Sequence, residues 1–112
     1  MVEAVFKTII MAEFRLNDQM KVKNLQASFK KKYGATLRVY KGMHFADPKS
    51  FLKDLSDTAH PTGYLSVNSK ITVEEFEKKF FDAFGVKVQV AKPDNSDLAK
   101  NNMTVHAVGR IK

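Results

Sequence analysis

Residues 20–41 and 71–92 align without a gap at an offset of 51 positions. Val22 falls on Val73, Leu25 on Phe76, Phe29 on Phe80, Tyr33 on Phe84 and Gly34 on Gly85. Leu37 and Val39 then meet Val88 and Val90, and upstream Phe14, Leu16 and Asn17 meet Leu65, Val67 and Asn68. Such a repeat narrows the folds open to the chain, because each copy is expected to build the same unit and bury its apolar face with the other.

Within each copy the apolar period changes twice. Phe14 and Leu16 alternate with polar residues, as in a half-buried strand. Val22, Leu25, Phe29 and Tyr33 then recur at helical spacing and form one stripe. Gly34 follows where a left-handed residue ends a helix, and Leu37 and Val39 return to alternation. The second copy adds a stronger start signal. Thr72 and Glu75 have capping-box spacing, and Ile71 and Phe76 have hydrophobic-staple spacing. Met20 and Leu25 keep the staple in the first copy, but Lys21 offers no cap.

Taken in order, the chain predicts a strand at 5–16, a helix at 22–33, a strand at 36–41 and a connection at 42–46. Asp47-Pro48 opens a short helix over 48–56, and residues 56–63 form a loop. A strand at 64–68, a helix at 73–84 and a strand at 86–91 follow. A turn at 93–96, one helical turn at 97–101 and a closing strand at 103–111 complete the chain. Right-handed crossovers would place both main helices on one side of a common sheet. The expected fold class is therefore α/β: a two-layer sandwich with one mixed sheet of about five strands. It would be built by internal duplication of a strand–helix–strand unit. All 112 residues form one domain, with repeat units at 5–56 and 63–111.

A chain of this length can bury a real core. It has no cysteine, which excludes disulfides and thiolate chemistry. Its longest apolar run is too short for a membrane span. The opening residues lack a basic stretch followed by an apolar one, so no signal peptide is expected, and a cytoplasmic location fits.

The residues for catalysis are sparse. His44, His60 and His106 share no motif, and no nucleophile elbow or glycine-rich phosphate loop occurs. Glu74, Glu75 and Glu77 fall early in a helix, where they complement its dipole. No catalytic, cofactor-binding or metal-ligating residue is assigned, and a non-enzymatic role is favoured.

Charge is more informative. The net charge is +7, and it lies in one copy. Residues 21–41 carry Lys21, Lys23, Lys30, Lys31, Lys32, Arg38 and Lys41 with no acidic residue. In residues 72–92 four lysines are offset by Glu74, Glu75, Glu77 and Asp82. A merely solubilising surface does not need this contrast, whereas a localised anion-binding patch does. Lysine rather than arginine dominates, which suits a solvated surface equally well. On the strands, Lys7, Arg15, Arg38, Tyr40, Tyr64, Lys87, His106 and Arg110 are expected on the face away from the helices. Aromatic rings among cations on an open sheet suit single-stranded nucleic acid. The candidate site residues are Lys23, Lys30, Lys31, Arg15, Arg38, Tyr40, Tyr64 and Arg110, and the candidate partners are nucleic acid or an acidic protein. The alternative is a protein-interaction or self-assembling domain using the neutral second copy. In that copy Phe81, which replaces Lys30, widens the helix stripe, either through burial within the monomer, which is the expectation, or as a contact with another subunit.

Overall fold

A computed structural model describes residues 13–56, 64–68 and 70–111 of the chain. The expected strand at 5–16 is thus described only from Glu13. Lys7 and most of the 56–63 loop lie outside the described residues. The elements are β1 (Glu13–Asn17), α1 (Val22–Tyr33), β2 (Thr36–Lys41), β3 (His44–Phe45), a single 3-10 turn (Leu52–Asp54), β4 (Tyr64–Asn68), α2 (Val73–Phe84), β5 (Val88–Ala91) and α3 (Val105–Val108). The molecule is a small α/β fold.

Both main helices form as their stripes require. Val22, Leu25, Phe29 and Tyr33 are buried along α1, and Val73, Phe76, Phe80 and Phe84 along α2. Each helix ends at a glycine in the left-handed region, Gly34 at φ 83° and Gly85 at φ 68°. Their rings form a continuous chain through the core. Phe29 meets Phe76 across the helices at 5.3 Å between ring centroids, and Phe80 meets Phe84 at 4.7 Å. Among the described residues no polar or charged residue is buried.

The strands are arranged differently from the expectation. They form two sheets, β1-β4 and β3-β2-β5, with every ladder antiparallel. Phe14 lies opposite Val67 and Leu16 opposite Leu65 in the first sheet. Leu37 lies opposite Val90 and Val39 opposite Val88 in the second. The physical reason is exchange between the halves. β1 and β2 of the first half pair with β4 and β5 of the second, while β3 pairs with β2 in a local hairpin, so β1 and β2 join different sheets and every ladder among the described residues is antiparallel.

Three further expectations are corrected, the first being the helical turn at 97–101, where Leu98 instead bridges to Ala91. Residues 103–111 do not form a strand; Val105–Val108 is a helical turn whose cap, Thr104, accepts the Ala107 N–H at 3.1 Å. Val105 and Val108 both point into the core at i, i+3 spacing. Residues 48–56 are not one helix either, since only Leu52–Asp54 makes a 3-10 turn.

Both segments have the same task at the start of a helix. The first N–H groups of any helix lack intrahelical partners. In α1 the Val22 N–H donates to Ser50 O at 2.8 Å and the Lys23 N–H to Pro48 O at 2.9 Å. In α2 the Val73 N–H donates to Met103 O at 2.8 Å and the Glu74 N–H to Asn101 O at 3.1 Å. Leu52 N–H to Met20 O has its counterpart in Val105 N–H to Ile71 O, each 2.9 Å. Ala46 N–H to Val39 O corresponds to Ala99 N–H to Val90 O, also 2.9 Å each. Between the strand residues and these later segments the offset changes from 51 to 53, so the intervening turn is two residues longer in the second half.

Candidate functional site

The exposed side of the β3-β2-β5 sheet is where cations and aromatic rings come together. Alternation along β2 buries Leu37 and Val39 and leaves Thr36, Arg38 and Tyr40 half-exposed on the opposite side. Gly42-Met43 turns the chain with Gly42 at φ 61°, a conformation a two-residue hairpin of this kind needs at its first turn position. The hairpin sets Phe45 opposite Tyr40. The two rings stack at 5.2 Å between centroids with 26° between planes. Phe45 stays 67% exposed and Met43 at the tip 94% exposed.

Polar contacts hold this arrangement in place. Tyr40 Oη donates to Gln89 Oε1 at 2.6 Å, and the Lys87 ammonium sits 5.5 Å from the Tyr40 ring centroid. Arg38 Nε donates to Asn95 Oδ1 at 2.7 Å, and Arg38 Nη2 to the Asn95 carbonyl at 3.0 Å. At the far end of β2, Lys30 Nζ donates to Thr36 Oγ1 at 3.3 Å and also to the Pro93 carbonyl. The surface thus runs from Lys30 and Thr36 past Arg38 to Tyr40 and Phe45, about 14 Å along the strand from residue 36 to 40.

Three of the eight candidates, Lys30, Arg38 and Tyr40, belong to this surface. Arg15 and Tyr64 lie on the β1-β4 sheet. Lys23 is exposed in the first turn of α1, and Lys31 is exposed in its last turn. Arg110 follows α3, and His106 lies within α3, so neither shares a strand face with Arg38. The residues that sequence reasoning missed are Phe45 and Asn95. A glycine-led two-residue turn between Lys41 and His44 was the available signal for Phe45. Nothing local ties Asn95 to Arg38, because the contact bridges the two halves.

Phe81 requires a correction: it is 53% exposed on α2, while its neighbour Phe80 is fully buried. The core stripe passes through Val73, Phe76, Phe80 and Phe84, and Phe81 lies one helical step outside it.

The carboxylates of α2 have structural partners. Glu75 accepts from the Thr72 N–H and hydroxyl, which holds its pKa below the ordinary carboxylate value. Glu77 Oε2 accepts the Val90 N–H at 3.0 Å on the side of β5 away from β2. Burial raises its pKa, against the opposing effects of that hydrogen bond and Lys87. Its counterpart Gln26 instead donates, to Leu37 O at 3.0 Å, so the two side chains bond their strands in opposite senses. Among the described residues, no three His, Asp or Glu side chains gather to hold a metal, and no helix is long and apolar enough to cross a membrane.

Compared with protein-family models, curated proteins and solved structures, the chain matches none of them.

Proposed function

We propose that this chain is a small basic, non-enzymatic binding module that holds single-stranded nucleic acid on the open side of the β3-β2-β5 sheet. The observation that carries this reading is the exposed Tyr40–Phe45 stack with Lys87 at 5.5 Å and Arg38 beside it. Stacking a base on such a ring is worth about 1–3 kcal/mol and tolerates any base, and neighbouring cations add attraction for the phosphates. Lys30, Arg38, Tyr40, Phe45 and Lys87 are the residues assigned to binding. A chain free of cysteine is compatible with action in the cytoplasm.

We also read the chain as an internal duplication forming one interdependent domain. Its support is the repeated set of backbone hydrogen bonds at offsets of 51 and 53, together with strand pairing between the halves.

The test is titration of a fluorescently labelled oligothymidylate, followed by anisotropy at several salt concentrations. Binding should weaken as salt rises. Tyr40→Ala and Phe45→Ala should each weaken it by roughly tenfold, corresponding to about 1.4 kcal/mol of stacking. An unchanged affinity in both variants would remove the sheet from consideration. A second reading, a protein-interaction or self-assembling domain, draws on the exposed Met43, Phe45 and Phe81. Light scattering that gives a dimer mass, with no oligonucleotide binding, would favour it.

A further inference from the structure

The two halves differ most at one turn. In the first half Gly42-Met43 joins Lys41 to His44. In the second half Pro93-Asp94-Asn95-Ser96 spans the corresponding gap between Lys92 and Asp97, whose backbone is joined by Lys92 N–H to Asp97 O at 2.9 Å. The two extra residues thus lie in this turn. It reaches the first half and contacts three side chains there, Lys30 of α1 and Thr36 and Arg38 of β2.

Every acceptor the turn offers them is neutral. Lys30 and Thr36 donate to the Pro93 carbonyl, the latter at 3.0 Å, and Arg38 donates to the Asn95 amide oxygen and carbonyl. Among the described residues no carboxylate pairs with Lys30 or Arg38. The turn's own carboxylate, Asp94, is directed at the Ser96 N–H at 3.0 Å. Asn95 holds φ 61°, the only non-glycine residue with positive φ among the described residues. Asparagine tolerates that backbone better than most residues. The contacts therefore fix the direction of two cationic side chains without cancelling their charge. A guanidinium has five N–H donors, and Asn95 occupies only part of that fork.

Resting on the single-strand reading above, we infer that the Pro93–Ser96 turn is a positioning clamp that presents Lys30 and Arg38 as a phosphate fork. The ligand is then a phosphodiester-linked single strand, with a backbone phosphate at the Lys30–Arg38 end and a base on Tyr40 and Phe45. A free base, or an uncharged strand, would lack the partner the fork is built for. Duplex bases are stacked on one another and cannot reach the rings.

Two substitutions at residue 95 separate orientation from charge. Asn95→Asp supplies a carboxylate to Arg38 and should offset one of the fork's two charges. Asn95→Gly keeps the backbone conformation accessible while deleting the side-chain acceptor. Oligothymidylate affinity is measured for each against salt, with a methylphosphonate oligothymidylate as the uncharged probe. N95D should weaken binding by about tenfold, as for a lost charge-assisted hydrogen bond. It should also make the salt slope shallower by about one. N95G should weaken binding severalfold with the slope unchanged, because the charge remains while one of the two contacts that orient Arg38 is lost. The methylphosphonate strand should bind wild type weakly and discriminate little among the three proteins.

Wild-type affinity and slope in N95D would overturn the clamp. If Tyr40→Ala still weakened binding by roughly tenfold in that case, the stacking surface would stand without it. A wild-type protein that ignores oligothymidylate would overturn both readings. Thermal melts accompany each variant. Should N95D fail to fold, N95G decides alone, and affinity equal to wild type would reject the inference.

Discussion

Tyr33 has a buried hydroxyl without a hydrogen-bond partner among the described residues, at the end of a helix whose other stripe residues are apolar. Its ring packs edge-on against Phe14 at 5.4 Å and tilted against Phe29 at 5.0 Å. Burial pushes its pKa up to about 12. The corresponding residue in the second half, Phe84, fills its place with no hydroxyl at all. An unsatisfied buried polar group is a net cost, so Tyr33→Phe should leave the fold as stable or more stable by about 1 kcal/mol. The pH dependence has a definite sign. The folded state resists ionisation at a pH where the unfolded chain has already lost the proton. Stability should therefore fall as pH rises between about 10 and 12, and the Phe variant should lack that component. Chemical denaturation of both proteins at neutral and alkaline pH checks this. A clear loss of stability at neutral pH in the variant would reveal a partner for the hydroxyl. At this scale the sequence was most readable where one residue has one task. Phe80 in the core stripe and the terminal glycines are legible because spacing alone defines them. Phe81 is not legible in the same way, because an adjacent aromatic on a helix can widen a stripe or leave it, and only packing decides which.

Both main helices pass their first two N–H groups to carbonyls of a later segment, and α2 alone adds a side-chain cap. In α2, Thr72 Oγ1 accepts the Glu75 N–H at 3.2 Å while Glu75 caps the Thr72 N–H in return. In α1, Lys21 supplies no side-chain cap, and the carbonyls of Pro48 and Ser50 take the N–H groups of Lys23 and Val22. Thr72→Ala should thus cost about 1 kcal/mol, as for a lost N-cap, whereas Lys21→Ala should fall within about 0.5 kcal/mol of wild type. Glu75 provides the second readout. Its pKa is lowered in the fold, first by the Thr72 hydroxyl. The stability it contributes is present above the ordinary carboxylate value and lost as pH falls through the lowered one. Thr72→Ala should flatten that part of the acid limb, measurable by urea denaturation across pH 2–6. An undiminished acid dependence would show that Thr72 does not hold Glu75. Long elements with clear periods could be read from the chain, and short ones could not. Val105 and Val108 have helical spacing, yet four residues also fit the alternation of Met103, Val105 and Ala107. The β2-β3 hairpin was hidden by its brevity, and with it Phe45. The division into two sheets depends on strands from opposite halves choosing each other, a long-range preference that no local pattern records.

Across the whole molecule, charge and neutral scaffold are separated. The second half opposes its lysines with carboxylates: Lys78 meets Asp82 at 3.4 Å, and Lys79 interacts with Glu75. In the first half Lys30, Lys31 and Lys32 crowd the last turn of α1, where they complement the helix dipole, and no acidic residue lies in the first turn. If the excess charge serves a ligand on the β3-β2-β5 sheet, the lysines should differ by position and not merely by number. Lys30 touches the sheet's rim through Thr36 and Pro93, whereas Lys23 stands about 10 Å further along the helix. Lys30→Glu should therefore weaken oligothymidylate binding most and make its salt slope shallower by more than one, because a phosphate contact becomes a repulsion. Lys23→Glu and Lys31→Glu should act less, through the general field alone. Lys78→Glu with Lys79→Glu should act least, although it changes net charge twice as much as any single reversal. Reversing Lys30 at the helix C-terminus should cost only about 0.3–1 kcal/mol of stability, so folding can be kept separate from binding in melts of the same proteins. The decisive comparison is affinity per unit of charge removed. If all five lysines fall on one line, the protein binds polyanions as a diffuse cation and the sheet has no special claim. If Lys30 departs from that line while the second-half pair does not, the charge excess belongs to the sheet surface beside Arg38 and Tyr40.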